Sequence, residues 1–219
     1  MPEKPRPLEE VTNAVSGRSN RERRSSLGPS NEVRRFVETY KDELKPGDSI
    51  LELGVGEGRN LEAFKDLDLK LHGIELDPQG VEMCRQNLTK QGIEAYIKEG
   101  SFTDLSAYDN ESMKAVFSQY AVQNAKTWKD LLRVFSEVQR VLEPGGLYLF
   151  REQRHPFVEE ADRHKRVAYI TEEEVQELAD QFNFEIVEGE TPVDTKEDLR
   201  RIGGKQSIWS LVLRKKLES

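Results

Sequence analysis

The densest chemistry in the chain lies in Ile50-Leu51-Glu52-Leu53-Gly54-Val55-Gly56-Glu57-Gly58-Arg59-Asn60. Gly54, Gly56 and Gly58 stand at alternating positions after an apolar run and before a stretch expected to open a helix. Glycine lets backbone N–H groups and a helix N-terminus approach a ligand closely, so this loop is read as the cradle of a nucleotide-like molecule. Spacing and charge narrow the choice. Dinucleotide loops follow G-x-G-x-x-G, whereas here the third glycine arrives one residue early, and the chain has no G-x-x-x-x-G-K-[ST] phosphate loop. Glu52, at the end of the run, would repel a pyrophosphate and attract the amino group of a cationic ligand. A phosphate donor is therefore disfavoured.

A scaffold must hold that loop, and its elements are readable. Val33, Phe36, Val37 and Tyr40 share one face at helical spacing ahead of the Pro46-Gly47 turn. Short apolar runs at 49–53, 69–74, 94–97, 114–118 and 147–150 then alternate with amphipathic stretches. Asp77-Pro78 reads as a cap with proline at the first helical position, and Gly92 follows that helix. Thr127 precedes a stripe of Trp128, Leu131, Leu132, Phe135, Val138 and Leu142 that stops at Pro144-Gly145-Gly146. Thr171 and Glu174 form a capping box ahead of Val175, Leu178, Ala179 and Phe182. Runs 184–187 and 207–213 lack a helix between them and are expected to pair antiparallel at one edge. The pattern predicts an α/β fold: a doubly wound, mostly parallel, seven-stranded Rossmann-like sheet with an antiparallel strand near the C-terminal edge.

With 219 residues the chain is too short for two full cores, so residues 29–219 are expected to form a single domain. Residues 1–28 hold three prolines and a net charge of +2, from six basic and four acidic residues, and are read as a flexible tail or a lid. Overall, 36% hydrophobic and 34% charged residues describe a soluble globular protein with a heavily solvated surface. The net charge of -8 makes nucleic acid an unlikely partner. Cys84 stands alone, which excludes an internal disulfide and a multi-thiolate metal site and fits a cytoplasmic setting. Neither His72 nor His164 has a metal partner at useful spacing, so no metal is expected. Neither a membrane span nor a secretory signal is apparent.

In order along the chain, Glu52 with the glycine loop, His72-Gly73-Ile74-Glu75-Leu76-Asp77, Glu99-Gly100-Ser101-Phe102-Thr103-Asp104 and Glu143-Pro144-Gly145-Gly146 resemble the class I S-adenosylmethionine-dependent methyltransferases, in particular their small-molecule-type domains. The resemblance covers about residues 45–150. It implies S-adenosylmethionine as cofactor, S-adenosylhomocysteine as product, and no metal. By the same resemblance Glu52, Gly54, Gly56 and Gly58 lie against the methionine part and ribose. Glu75 takes the ribose hydroxyls, as two acceptor oxygens suit a vicinal diol, with Leu76 against the adenine. Ser101 and Phe102 would serve the adenine edge, although many members carry aspartate where Ser101 stands; Asp104 is the substitute candidate. Gln119 and Tyr120 would face cofactor and acceptor.

Methyl transfer from a sulfonium asks the protein mainly for alignment and exclusion of water. Acceptor contacts are expected beyond the carboxyl ends of strands four and five, at Tyr120, Gln123, Asn124 and the segment 151–157. His155 is the candidate general base, since its ordinary pKa near 6.5 suits proton removal, with Tyr120 the second candidate catalytic side chain. Arg151, Arg154, Arg163 and Arg166, with the arginines of the N-terminal segment, are read either as an anionic-substrate mouth closed by that segment as a lid or as a solvated basic edge. The leading expectation is methyl transfer to a small molecule. RNA or protein methylation, a non-catalytic cofactor-binding sensor or partner subunit, and an NAD-dependent oxidoreductase are the alternatives. The acceptor and the oligomeric state stay open, because this architecture hosts many chemistries.

Overall fold

A computed structural model describes residues 28–154, 170–190 and 207–217. The expected tail or lid at 1–27, and the stretch holding His155, Arg163, His164 and Arg166, lie outside these residues.

The described chain runs α1 (Asn31–Tyr40), β1 (Ser49–Leu53), β2 (Lys70–Glu75), α2 (Pro78–Lys90), β3 (Ala95–Glu99), β4 (Met113–Gln119), α3 (Trp128–Val141), β5 (Leu142–Arg154), α4 (Glu172–Gln181), β6 (Phe184–Glu190) and β7 (Ser207–Lys215). One seven-stranded sheet has the order β3-β2-β1-β4-β5-β7-β6. Strands β1 to β5 pair in parallel, and β7 runs antiparallel to both β5 and β6, as the sequence predicted for that edge.

Helices cover both faces. Val33 and Phe36 of α1 with Val81, Cys84 and Leu88 of α2 pack on one side against Ile50, Phe117 and Leu149. Leu131, Val134, Phe135 and Val138 of α3 with Val175 and Leu178 of α4 pack on the other against Leu51, Val116 and Tyr148. The helices start where the caps predict. Asp77 accepts the Gln79 N–H ahead of Pro78, and Thr127–Asp130 and Thr171–Glu174 both close as capping boxes.

Two expectations fail locally. The glycine loop opens not onto an α-helix but onto a single 3-10 turn, Leu61–Phe64. Its bonds span three residues (Leu61 to Gly58, Ala63 to Asn60, Lys65 to Glu62), which puts Leu61 and Phe64 one above the other, both buried. Pro144-Gly145-Gly146 does not separate helix from strand either. It sits within β5 as a bulge, where the register with β4 jumps from Met113–Leu142 to Ala115–Leu147. A Cβ on Gly146 would meet the Glu143 carbonyl at 2.8 Å and the Lys114 carbonyl at 3.1 Å, so glycine is needed at the bulge.

Candidate active site

All parallel strands point their carboxyl ends the same way, and a cavity of about 510 Å³ opens there. Its lining includes Glu52, Gly54 and Gly56 from the glycine loop, Glu75 and Leu76 after β2, Phe102 after β3, and Gln119 and Tyr120 after β4. With Asn124, which also lines it, nine of the sequence-picked residues thus meet in one place. Gly58 and Ser101 do not join them: Gly58 is turned against Cys84 and Leu88, and the Ser101 hydroxyl bonds Thr103 Oγ1 at 2.7 Å. Asp104 lies in a separate groove with Arg133 and Arg140. His72 stacks on Tyr96 and meets Tyr108 edge-on, away from the cavity, where burial and the nearby Lys70 lower its pKa.

The glycine loop is held to the end of β2. Gly54 and Val55 donate to the Ile74 carbonyl at 2.8 and 3.0 Å. Gly54 adopts a φ of 65°, and a Cβ there would stand 2.5 Å from Ala121 Cβ, so the β1 and β4 loops touch through the missing side chain. Glu75 ties the same loop from below. Its Oε2 accepts the Gly56 N–H and its Oε1 the Asp77 N–H, both at 3.0 Å. These bonds orient the carboxylate toward the cavity.

Glu52 is 2% exposed. Its Oε1 accepts from Asn60 Nδ2 at 2.8 Å, and its Oε2 has no hydrogen-bond partner. A buried, half-satisfied carboxyl is costly unless a donor reaches it. Burial pushes its pKa up to about 8, against the opposing pull of Asn60 and Arg59, while Glu75 and Glu57 add to the rise. Gln119 Oε1 is likewise buried and unpartnered. The cavity therefore presents two acceptor oxygens waiting for donors, beside an oriented carboxylate and an exposed Leu76. This set fits the amino group, ribose diol and adenine of S-adenosylmethionine.

The loop after β4 is gripped by two successive residues of β5. Tyr120 holds a left-handed φ of 57°, rare for a side-chain-bearing residue. Its N–H donates to the Arg151 carbonyl at 2.9 Å, and its hydroxyl accepts from Arg151 Nη1 at 2.5 Å. Glu152, 1% exposed, accepts the Gln123 N–H at 3.1 Å. Burial pushes its pKa up to about 7, opposed by the Ser118 hydroxyl and the amides of Gln123, Val122 and Ala121. Arg151 also donates through Nη2 to Glu32 of α1 at 2.7 Å. It is a paired cation rather than an open anion mouth.

Sequence reasoning gave Asn60 no role, and took Glu152 only as part of the acceptor-contact segment 151–157, not as a buried anchor of the loop after β4. Asn60 stands at the loop exit in the quoted motif, and that position was its signal. Glu152 sits among charges in Arg-Glu-Gln-Arg and reads as a surface residue.

Sheet order, glycine loop and cavity define a class I S-adenosylmethionine-dependent methyltransferase fold. Residues 51–150 match the family model described as "Methyltransferase domain". Among curated relatives, phosphoethanolamine N-methyltransferase 2 of Caenorhabditis elegans is 26% identical over 75% of this chain and 38% of its own length. 24-methylenesterol C-methyltransferase 2 of Arabidopsis thaliana is 27% identical over 66% of this chain and 44% of its own. The chain thus spans less than half the length of either relative. The solved phosphoethanolamine N-methyltransferase 2 of Haemonchus contortus, in complex with S-adenosyl-L-methionine, superposes with a TM-score of 0.66 at 17% identity, over 88% of this chain and 54% of that one.

Among the described residues no helix is long and apolar enough to cross a membrane, and no cluster of three or more metal-ligating side chains occurs.

Proposed function

We propose that the protein transfers the methyl group of S-adenosylmethionine to a small-molecule acceptor. The observation that carries this reading is the buried Glu52 oxygen without a donor, in a cavity that also holds the oriented Glu75 carboxylate. Glu52 receives the amino group of the cofactor, Glu75 the ribose diol, Leu76 and Phe102 flank the adenine, and Gly54 and Gly56 leave room for the chain between. When bound, the cofactor supplies an activated methyl on a sulfonium, so the acceptor's lone pair forms the new bond as the sulfur–methyl bond breaks.

The chain's own part is placement. Gln119, Tyr120 and Asn124 stand at the methyl side of the cavity, and alignment of this kind is worth about 7–11 kcal/mol in favourable cases. His155 keeps its proposed role as the base that takes the acceptor's proton. The small-molecule reading is supported by the relatives, whose names specify phosphoethanolamine and a sterol.

Titration calorimetry with S-adenosylmethionine, S-adenosylhomocysteine and NAD, on wild type and Glu75→Ala, tests the reading. The first two bind with micromolar affinity, the mutant loses at least about tenfold, and NAD gives no heat. Binding of NAD alone would reverse the assignment. An acceptor screen with phosphorylated amines, neutral amines and sterols then follows methyl incorporation.

A further inference from the structure

Helix α1 reaches both ends of the site. Its cap residue Ser30 donates its backbone N–H to Asn60 Oδ1 at 3.2 Å, and the Nδ2 of the same amide holds Glu52. Asn60 is 5% exposed, so this amide is a fixed bridge rather than a surface contact. Two residues on, in the same turn, Glu32 accepts from Arg151 Nη2, and Arg151 Nη1 holds the Tyr120 hydroxyl. The Arg151 side chain is 10% exposed and its guanidinium carbon lies 5.0 Å from the centre of the Tyr120 ring. The Ser30 hydroxyl closes the same turn by accepting the Val33 N–H at 3.2 Å. Two polar chains, Glu52–Asn60–Ser30 and Tyr120–Arg151–Glu32, therefore converge on a single helical turn.

We propose that the first turn of α1 is a positioning clamp, setting through Asn60 the carboxylate that takes the cofactor's amino group and through Arg151 the Tyr120 loop that faces the methyl. The inference rests on the cofactor reading above. Occupation of Glu52 by an ammonium draws Asn60 and the α1 turn into one arrangement, and that arrangement fixes Tyr120. A ligand without an amino-acid end gains nothing from the clamp. Glu32 and Arg151 are positioning residues acting through Tyr120, as Ser30 acts through Asn60.

The discriminating pair is S-adenosylhomocysteine and 5′-methylthioadenosine, which share the adenosine and the thioether while only the first carries the amino-acid end. Glu32→Ala, at a partly exposed helix position, is expected to weaken the first by about fivefold or more and leave the second unchanged. Equal losses for both ligands, or no loss for either, overturn the clamp. A wild-type chain that binds neither ligand overturns the cofactor reading and the clamp with it; binding of both with no selectivity in the mutant overturns the clamp alone. Hydrogen exchange on the wild-type chain needs no variant. S-adenosylhomocysteine should slow exchange in the first turn of α1 and at 120–124 together, whereas 5′-methylthioadenosine should not. Protection confined to the glycine loop with both ligands counts against the proposal.

Discussion

At the scale of single residues, burial raises the pKa of two carboxyls, Glu52 and Glu152. A carboxyl with a raised pKa holds a proton in the folded chain that the unfolded chain has already released, so its protonation supports folding at low pH and that support fades as pH climbs. For Glu52, pushed up to about 8, and Glu152, pushed up to about 7, the loss runs from the ordinary carboxyl range up through those values. The melting temperature of the ligand-free protein should accordingly fall as pH rises from about 6 to about 8.5, and Glu52→Gln, neutral throughout, should remove part of that slope. Differential scanning calorimetry across the interval reads both. Ligand binding should move the other way, since only the carboxylate form pairs with an ammonium. Affinity for S-adenosylhomocysteine in wild type should increase over the same interval, and Glu52→Gln should bind weakly at every pH. A flat affinity profile would mean that the amino group does not meet Glu52.

At the scale of elements, the glycine loop separates folding from binding. Any side chain at φ values of 54° to 65° costs about 1–2 kcal/mol. Gly54→Ala adds to this a Cβ 2.5 Å from Ala121, so it should lower the melting temperature clearly and displace the β4 loop. Gly56 has nothing within 4 Å of its would-be Cβ, so Gly56→Ala should fold at only the backbone cost yet lose S-adenosylhomocysteine, because the methyl enters the cavity. Thermal unfolding and calorimetry on the two variants separate the effects. The same elements show what local pattern can and cannot convey. The apolar runs and caps were legible because burial on two helix-covered faces imposes them residue by residue: 49–53 became β1, and Thr127 and Thr171 began helices as expected. The 3-10 turn at Leu61–Phe64 was hidden, since two buried residues three apart suit either kind of helix. Contacts across long stretches of chain were beyond reach. Nothing near Glu32 announces Arg151, and nothing in the charged 151–154 run tells that Arg151 and Glu152 turn inward.

At the scale of the molecule, charge and topology set the remaining terms. With a net charge of -8, the protein should pass a heparin column at physiological salt and leave a labelled RNA unretained on a filter. Retention would turn the acceptor search from metabolites to RNA. Arg35 and Tyr40 of α1 both pair with Glu188, tying that helix to the β6 edge of the sheet. That edge owes its place to β7, which follows β6 in the chain yet lies between β5 and β6 in the sheet. During synthesis, then, β5 emerges with an open flank that nothing made up to that point can cover, and α4 and β6 must both appear before the strand that fills the gap. A growing chain passes through a period with a long strand edge unpaired, where it is most exposed to mispairing and to chaperones.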